Sequence, residues 1–459
     1  MKKITRLLLC TLVFVALFYH QEPGINFSLF AVFLWGLLFF STPKKRRGRP
    51  FWTLSTALFL SAFSLSWYGD DFSFFALYFS VIALGIQAQF PKLRPVLYPL
   101  LLGWNYLSFI FRIFFFNHWL PKMTPGNKFW KRFIALFLIP AVFGLAFIGI
   151  YAAGSDLFAR FFQQFYIDFD VFSLLFVAAL GGFLMFNYWL MWVPREAIRL
   201  NQNMSNDFSA EKINMTAGTF SFLDIDFERK SGEISLIVVN LILVFFIATY
   251  NYEQFFSHAV GGSLSQEIHE RVATIIFSIV MAIALLMFYF KSTFNFDPKA
   301  KFLKQLAYVW MALNTVLILS AFLKNGEYIL HFGLTFKRIS VFIFLLLSLT
   351  GLVFSYLKIK HRWTNACLVN NMMRVFFCTF VLCSLINFSW VVTAYNIRFH
   401  KDQDSQYLQQ MPYNYRLLYE TYHQNPEWQP YFEQQARHIQ IEKERFFLSA
   451  RLYYWFMEQ

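Results

Sequence analysis

Apolar runs alternate with short charged loops along almost the whole chain. The runs are Leu7–Phe18, Ile25–Phe40, Phe51–Tyr68, Ser73–Gln89, Val96–Phe116, Phe133–Ala153, Val171–Val193, Ile234–Tyr250, Val272–Phe290, Leu306–Phe322, Val341–Tyr356 and Val375–Ala394. Most approach the ~20 residues that carry a helix across a bilayer. The pattern therefore predicts an all-α, polytopic transmembrane bundle of about 11–12 spans. Beyond Ile397 the texture changes. Apolar positions such as Tyr407, Leu408, Met411, Leu417 and Leu418 recur at helical steps, cut by Pro412, Pro426 and Pro430. That predicts a short amphipathic helical tail. Three regions follow: N-terminal hairpins over 1–132, a main bundle over 133–396 and a polar tail over 397–459.

Charge orients the spans. Lys44–Arg49, Lys291–Lys304 and Lys358–Arg362 are basic blocks between runs, and such blocks are retained on the cytoplasmic side. This places the N-terminus inside and the tail outside of a plasma membrane. The Val96–Phe116 run resists the scheme. It contains Pro99, Asn105 and Arg112 and is followed by Lys122, Lys128, Lys131 and Arg132. It is either re-entrant or interfacial, or it crosses against the rule. Arg112 then faces an interior carboxylate or lies shallow. The start resembles a signal peptide, but no small-residue cleavage pattern follows Phe18, so an uncleaved hairpin is expected.

Composition agrees with a lipid environment. Of 459 residues, 58% are apolar and 14% charged, and 63 are Phe. A soluble surface could not be covered with so few charges. The net charge of +14 is scattered between apolar runs, which argues against nucleic acid as a partner. The four cysteines form no CxxC pair. Phosphate-binding glycine loops, a nucleophile elbow and metal spacing are all missing, so no cofactor and no enzymatic activity are expected. His269-Glu270 is not a zincin motif, because the residue four after His269 is Ala273.

Two sets of polar residues are candidate sites. Lys324, Glu327, Tyr328, His331, Lys337 and Arg338 read as a compact loop between two spans. Glu327 and His331 are four apart and would share a helical face. A desolvated carboxylate beside a histidine can carry protons; the alternative is headgroup anchors and caps. Asn187, Asn240, Asn314 and Asn387 fall inside runs. Such amides usually bond between helices, with a substrate path as the sharper reading.

Several of these residues carry a resemblance. They are His269-Glu270; Leu306-Ala307-Tyr308-Val309-Trp310 with Asn314; Tyr328-Ile329; Gly333-Leu334-Thr335; Lys337-Arg338-Ile339; Tyr395-Asn396; and Asp404 with Tyr407-Leu408. Over roughly 234–418 the chain resembles an uncharacterised bacterial family of polytopic membrane proteins, a domain of unknown function. The N-terminal half matches it in hydropathy alone. The resemblance implies a multi-span inner-membrane protein and supplies no reaction. Two function classes are carried forward: a non-enzymatic scaffold, sensor or accessory protein whose tail meets a membrane or periplasmic partner, and a proton-coupled transporter of a small solute.

Overall fold

A computed structural model describes residues 2–115, 170–208, 224–255, 264–291, 293–399 and 405–457, with a few isolated positions between 116 and 169. Among the described residues the regular structure is helical and no strand occurs. The run expected over 133–153 lies largely outside them. The chain forms two compact units.

The first unit holds residues 1–92, 98–194 and 442–455. Its helices are α1 Lys3–Phe18, α2 Ile25–Ser41, α3 Arg49–Tyr68, α4 Asp71–Gln89, α5 Tyr98–Leu107, α6 Phe109–Phe114 and α7 Val171–Trp189. Gly69 ends α3 in the left-handed region at φ +66°, which suits a residue without Cβ. Asp70 then caps α4, its carboxylate accepting from the Ser73 N–H at 2.8 Å. Small side chains set the spacing. Ser61 and Ser80 share a 3.2 Å hydrogen bond between α3 and α4, and the Ser28 hydroxyl donates to the Ala62 carbonyl. Gly181 lies against Phe14, where an added Cβ would sit 2.6 Å from the ring. Gly181 thus allows close helix approach, whereas Gly182 faces open space.

The doubtful Val96–Phe116 run is two short helices, α5 and α6, meeting at Ser108. Among the described residues Arg112 meets no carboxylate. Its guanidinium donates to Asn105 Oδ1 at 2.6 Å, to Asn187 Oδ1 at 3.2 Å and to the Leu190 carbonyl. The negative end of α7 stands in for an acid there.

The second unit holds 93–97, 195–441 and 456–459. Its helices are α8 Arg195–Asn203, α9 Ile225–Phe255, α10 Leu264–Tyr289, α11 Lys301–Phe332, α12 Phe336–His361, α13 Asn365–Ser384 and α14 Phe388–Phe399, then α15 Ser405–Gln409, α16 Tyr415–Tyr422 and most of α17 Gln429–Glu444. The helix α18 Leu452–Trp455 returns to the first unit. Leu236, Ile275, Ile279, Ala307, Leu317, Leu345 and Leu352 are core residues shared by α9 to α12.

Two expectations need correction. The segment from Lys324 to Phe332 is not a loop. Helix α11 runs unbroken for 32 residues, about 48 Å at ~1.5 Å per residue, and carries Lys324, Glu327, Tyr328 and His331 on its last turns. The connection is only Gly333–Thr335, after which Thr335 caps α12. Nor is Val375–Ala394 one span. Helix α13 begins at Asn365 and ends at Ser384, and α14 starts afresh at Phe388. Asn387 causes the break: its Oδ1 accepts from the Trp390 N–H at 2.9 Å, and its Nδ2 donates to the Tyr413 carbonyl at 3.0 Å.

Candidate functional site

The polar residues that the sequence marks converge on the turn between α11 and α12. Gly333 ends α11 at φ +74°. Leu334, half-buried in this turn, is held on both sides by one amide. Asn396 Oδ1 accepts from the Leu334 N–H at 2.7 Å, and Asn396 Nδ2 donates to the Leu334 carbonyl at 2.9 Å. Asn396 is fully buried on α14. The Phe336 N–H donates to the Tyr407 hydroxyl at 3.1 Å. The Arg338 guanidinium donates to the Phe332 carbonyl at 2.9 Å and to the Gly333 carbonyl. Asn325 donates to the Arg338 carbonyl at 3.0 Å. These donors satisfy the carbonyls that a helix end leaves without intrahelical partners.

The tail completes the arrangement. Asn414, buried, donates to Thr393 Oγ1 at 2.9 Å and to the Leu408 carbonyl at 2.8 Å. Val392, Leu408, Met411, Leu418, Trp428 and Phe432 form a separate apolar core, with Leu334 and Ile339 packed on it. Tyr422 and Trp428 stack at 4.5 Å. The tail up to Ile441 is therefore a small folded module docked on α14 and on the α11–α12 turn. Burial pushes the Tyr407 phenol up from its ordinary value, against a smaller downward pull from the Phe336 N–H and Arg338.

The acid–histidine pair does not converge. Glu327 pairs with Lys324, Oε2 to Nζ 2.9 Å, and Lys324 also sits over the Tyr328 ring. His331 packs against Phe332. Lys337 lies exposed on the first turn of α12. His269 and Glu270 lie on α10, with side chains outside the described residues.

Of the four amides inside the runs, Asn187 and Asn240 bond between helices, whereas, among the described residues, Asn314 and Asn387 do not. Asn187 donates to the Phe183 carbonyl at 2.9 Å and accepts from Arg112. Asn240 bridges α9 to α11 through the Leu306 carbonyl at 3.2 Å. Asn314 donates to the Trp310 carbonyl of its own helix. Asn387 is a cap and not a mid-span residue.

Three residues that matter are not singled out by sequence reasoning. Asn396 enters only through the family resemblance, and Asn414 carries no signal in the tail. Lys358 reads as one of a basic cluster, yet it is only 2% exposed and its Nζ donates to the Phe290 carbonyl at 2.6 Å. A helical stripe of Gly351, Ser355 and Lys358, all buried, was the signal that would have found it.

The first unit has its own clasp. A strap over 442–455 returns to the α1–α2 and α3–α4 turns. The Glu22 N–H donates to Ser449 Oγ at 2.9 Å, and the Ile25 N–H donates to the Ala450 carbonyl at 3.2 Å. Arg445 pairs with Glu22 and, at 2.9 Å, with buried Glu442. A Cβ on Gly24 would lie 2.5 Å from the Ser449 carbonyl carbon.

Six of the described helices are long and apolar enough to cross a membrane: 71–89, 172–189, 225–253, 298–332, 336–361 and 365–384. This defines a multi-pass α-helical membrane protein. The chain belongs to the family described as domain of unknown function (DUF4153), whose model matches residues 3–420. The match extends well beyond the 234–418 stretch that carried the resemblance and takes in the N-terminal helices. No curated protein and no solved structure matches the chain.

Proposed function

We propose that the protein is a non-enzymatic scaffold or accessory protein of the bacterial inner membrane, which presents its C-terminal tail outside the cytoplasm. The observation that supports this is the use made of the candidate polar residues. Asn396, Arg338, Tyr407 and Asn414 are committed to backbone groups that fix the tail on the α11–α12 turn. A chain that invests buried amides in docking a module is suited to presenting it. The orientation draws support from each unit separately. In the first, the strap binds the turns at Glu22 and Gly69, at the far end of the helices from Lys44–Arg49. In the second, the tail module sits on the Gly333 turn, at the far end from Lys291–Lys304 and Lys358–Arg362. Both placements agree with basic ends inside.

The test is proximity crosslinking in intact cells, with a photoreactive group at exposed positions of α17 such as Glu433 or Arg437. The reading expects a defined protein adduct at these positions and none from equivalent exposed positions on α3. Adducts equally spread over both would sink it. Reporter fusions at Arg47 and after the tail check the sidedness: Arg47 inside and the tail outside are expected, and the tail inside overturns the orientation.

A further inference from the structure

We infer that the basic end of the α11–α12 pair is a binding site for the headgroup of an anionic phospholipid. Residues 291–304 and 358–362 carry seven cations and one carboxylate. That carboxylate, Asp297, is engaged with Arg229 at 3.0 Å. Lys304 donates to the Asn295 carbonyl at 3.0 Å. Lys360 sits over the Tyr356 ring and Arg362 over the Phe296 ring, at 5.6 and 5.7 Å. Among the described residues, carbonyls and ring faces orient Lys304, Lys360 and Arg362 without cancelling their charge. An anion would complete these three by chemistry.

The surroundings identify the anion as lipid. On α11, Lys301, Lys304 and Tyr308 follow at steps of three and four; on α12, Tyr356 and Lys360 are four apart. Both sets lie on single helical faces. The faces meet, with Tyr308 and Tyr356 rings 5.4 Å apart. Tyrosine favours the headgroup level of a bilayer. Below Lys360, at seven-residue steps, α12 exposes Val353 and then Leu346. On α11 the exposed stripe is Phe302, Val309 and Val316. Cations at the top of a continuous apolar stripe match a phosphate at the top of an acyl chain. A soluble phosphate would have no use for that stripe. Basic pockets between helix ends are known to suit such headgroups. The inference stands without the scaffold reading, which supplies only the name of the leaflet.

The experiment uses the full chain in detergent, with native mass spectrometry counting retained lipid after addition of phosphatidylglycerol, cardiolipin or phosphatidylcholine. The expected result is selective retention of the two anionic lipids, undisturbed by millimolar inorganic phosphate. Each cation near an anionic headgroup contributes roughly fivefold in affinity. The triple variant Lys304→Gln, Lys360→Gln, Arg362→Gln should therefore lose roughly a hundredfold. A second triple variant, Lys44→Gln, Lys45→Gln, Arg46→Gln, removes equal charge elsewhere and should retain binding. Should the first triple fail to fold, Lys360→Gln alone, at an exposed position, should lose roughly fivefold. Equal retention of phosphatidylcholine overturns the site. So does equal loss in the second triple. Displacement by inorganic phosphate would make it an anion site and overturn the lipid assignment.

Discussion

In each unit the two ends of the helices are built from different chemistry. The ends that meet the tail are stitched mainly by neutral donors and acceptors, with the Arg338 guanidinium on two carbonyls and Arg445 paired with Glu22 and Glu442. Asn396 pairs both backbone groups of Leu334, Tyr407 receives the Phe336 N–H, and Ser449 and Ala450 receive the N–H groups of Glu22 and Ile25. The opposite ends carry cations, at Lys44–Arg49 and at Lys291–Arg362, set on carbonyls and rings. The difference teaches where the fold spends its directional bonds. A neutral amide buried with both partners present is fully satisfied and fixes one geometry. A cation without a carboxylate is left able to attract something else.

The sharpest way to break the comparison is to remove the amide that clasps the turn. Asn396→Leu keeps the volume but strands the Leu334 N–H and C=O in a half-buried site beside the fully buried Asn396 position. Each stranded group costs about 1–3 kcal/mol, so a loss of about 2–5 kcal/mol is expected. Thermal unfolding of the purified protein reads the loss, and limited proteolysis between Ile397 and Ile441 should become fast. A variant as stable as the wild type would show that the stitched end is not held by its amides.

The strap provides the next test. Gly24→Ala places a Cβ 2.5 Å from the Ser449 backbone, and backbone cannot swing aside as a side chain can. Overpacking of this kind costs about 1–3 kcal/mol. A cysteine reporter on the strap should become reactive in the variant. An unreactive strap would mean that its hydrogen bonds to Glu22 and Ile25 are incidental. Because the strap lies past residue 420, where the family match ends, this test also asks whether the clasp of the first unit is an addition to the family fold.

The basic end makes the opposite prediction. Lys358 is buried with a carbonyl as its partner, and the Phe290 carbonyl also accepts from Asn295 Nδ2 at 2.8 Å. Lys358→Met therefore removes a costly charge and leaves the carbonyl satisfied. Replacing buried charge by a well-packed apolar side chain is often stabilising by about 1–4 kcal/mol. A rise in melting temperature in neutral detergent is expected. A fall would reveal a counter-charge outside the described residues and erase the contrast between the two ends.

How far the sequence reveals this contrast depends on the range of the interaction. Hydropathy finds the helices, because a span is a local property of about 20 residues. It misplaces the α11–α12 connection, because the charges of Lys324, Glu327 and His331 read as loop. A helix that projects past the apolar layer carries charges without breaking. The true connection is legible after all: Gly333 and Thr335 are a C-terminal and an N-terminal helix signal two residues apart. Asn387 could not be placed from sequence, since its cap depends on the Tyr413 carbonyl brought near by the tail. Asn396 and Asn414 were hidden for the same reason. An asparagine looks alike in sequence whether it glues two helices or clasps a turn.

The smallest expected effect decides between the two function classes. Glu327→Gln removes one charge from an i,i+3 pair with Lys324, whose side chains are 42% and 13% exposed respectively. Such pairs are worth about 0.3–0.5 kcal/mol, so the melting temperature should hardly move. Insertion and tail protection should match the wild type, because neither Glu327 nor Lys324 touches the Leu334 clasp. A transporter would behave differently. If Glu327 and His331 carried protons, the same substitution would abolish a pH-linked flux in vesicles while leaving stability intact. The pairing of Glu327 with Lys324, and of His331 with Phe332, favours the silent outcome. A flux present in wild-type vesicles and lost in Glu327→Gln would overturn the scaffold reading and move the function from the stitched turn to the last turns of α11.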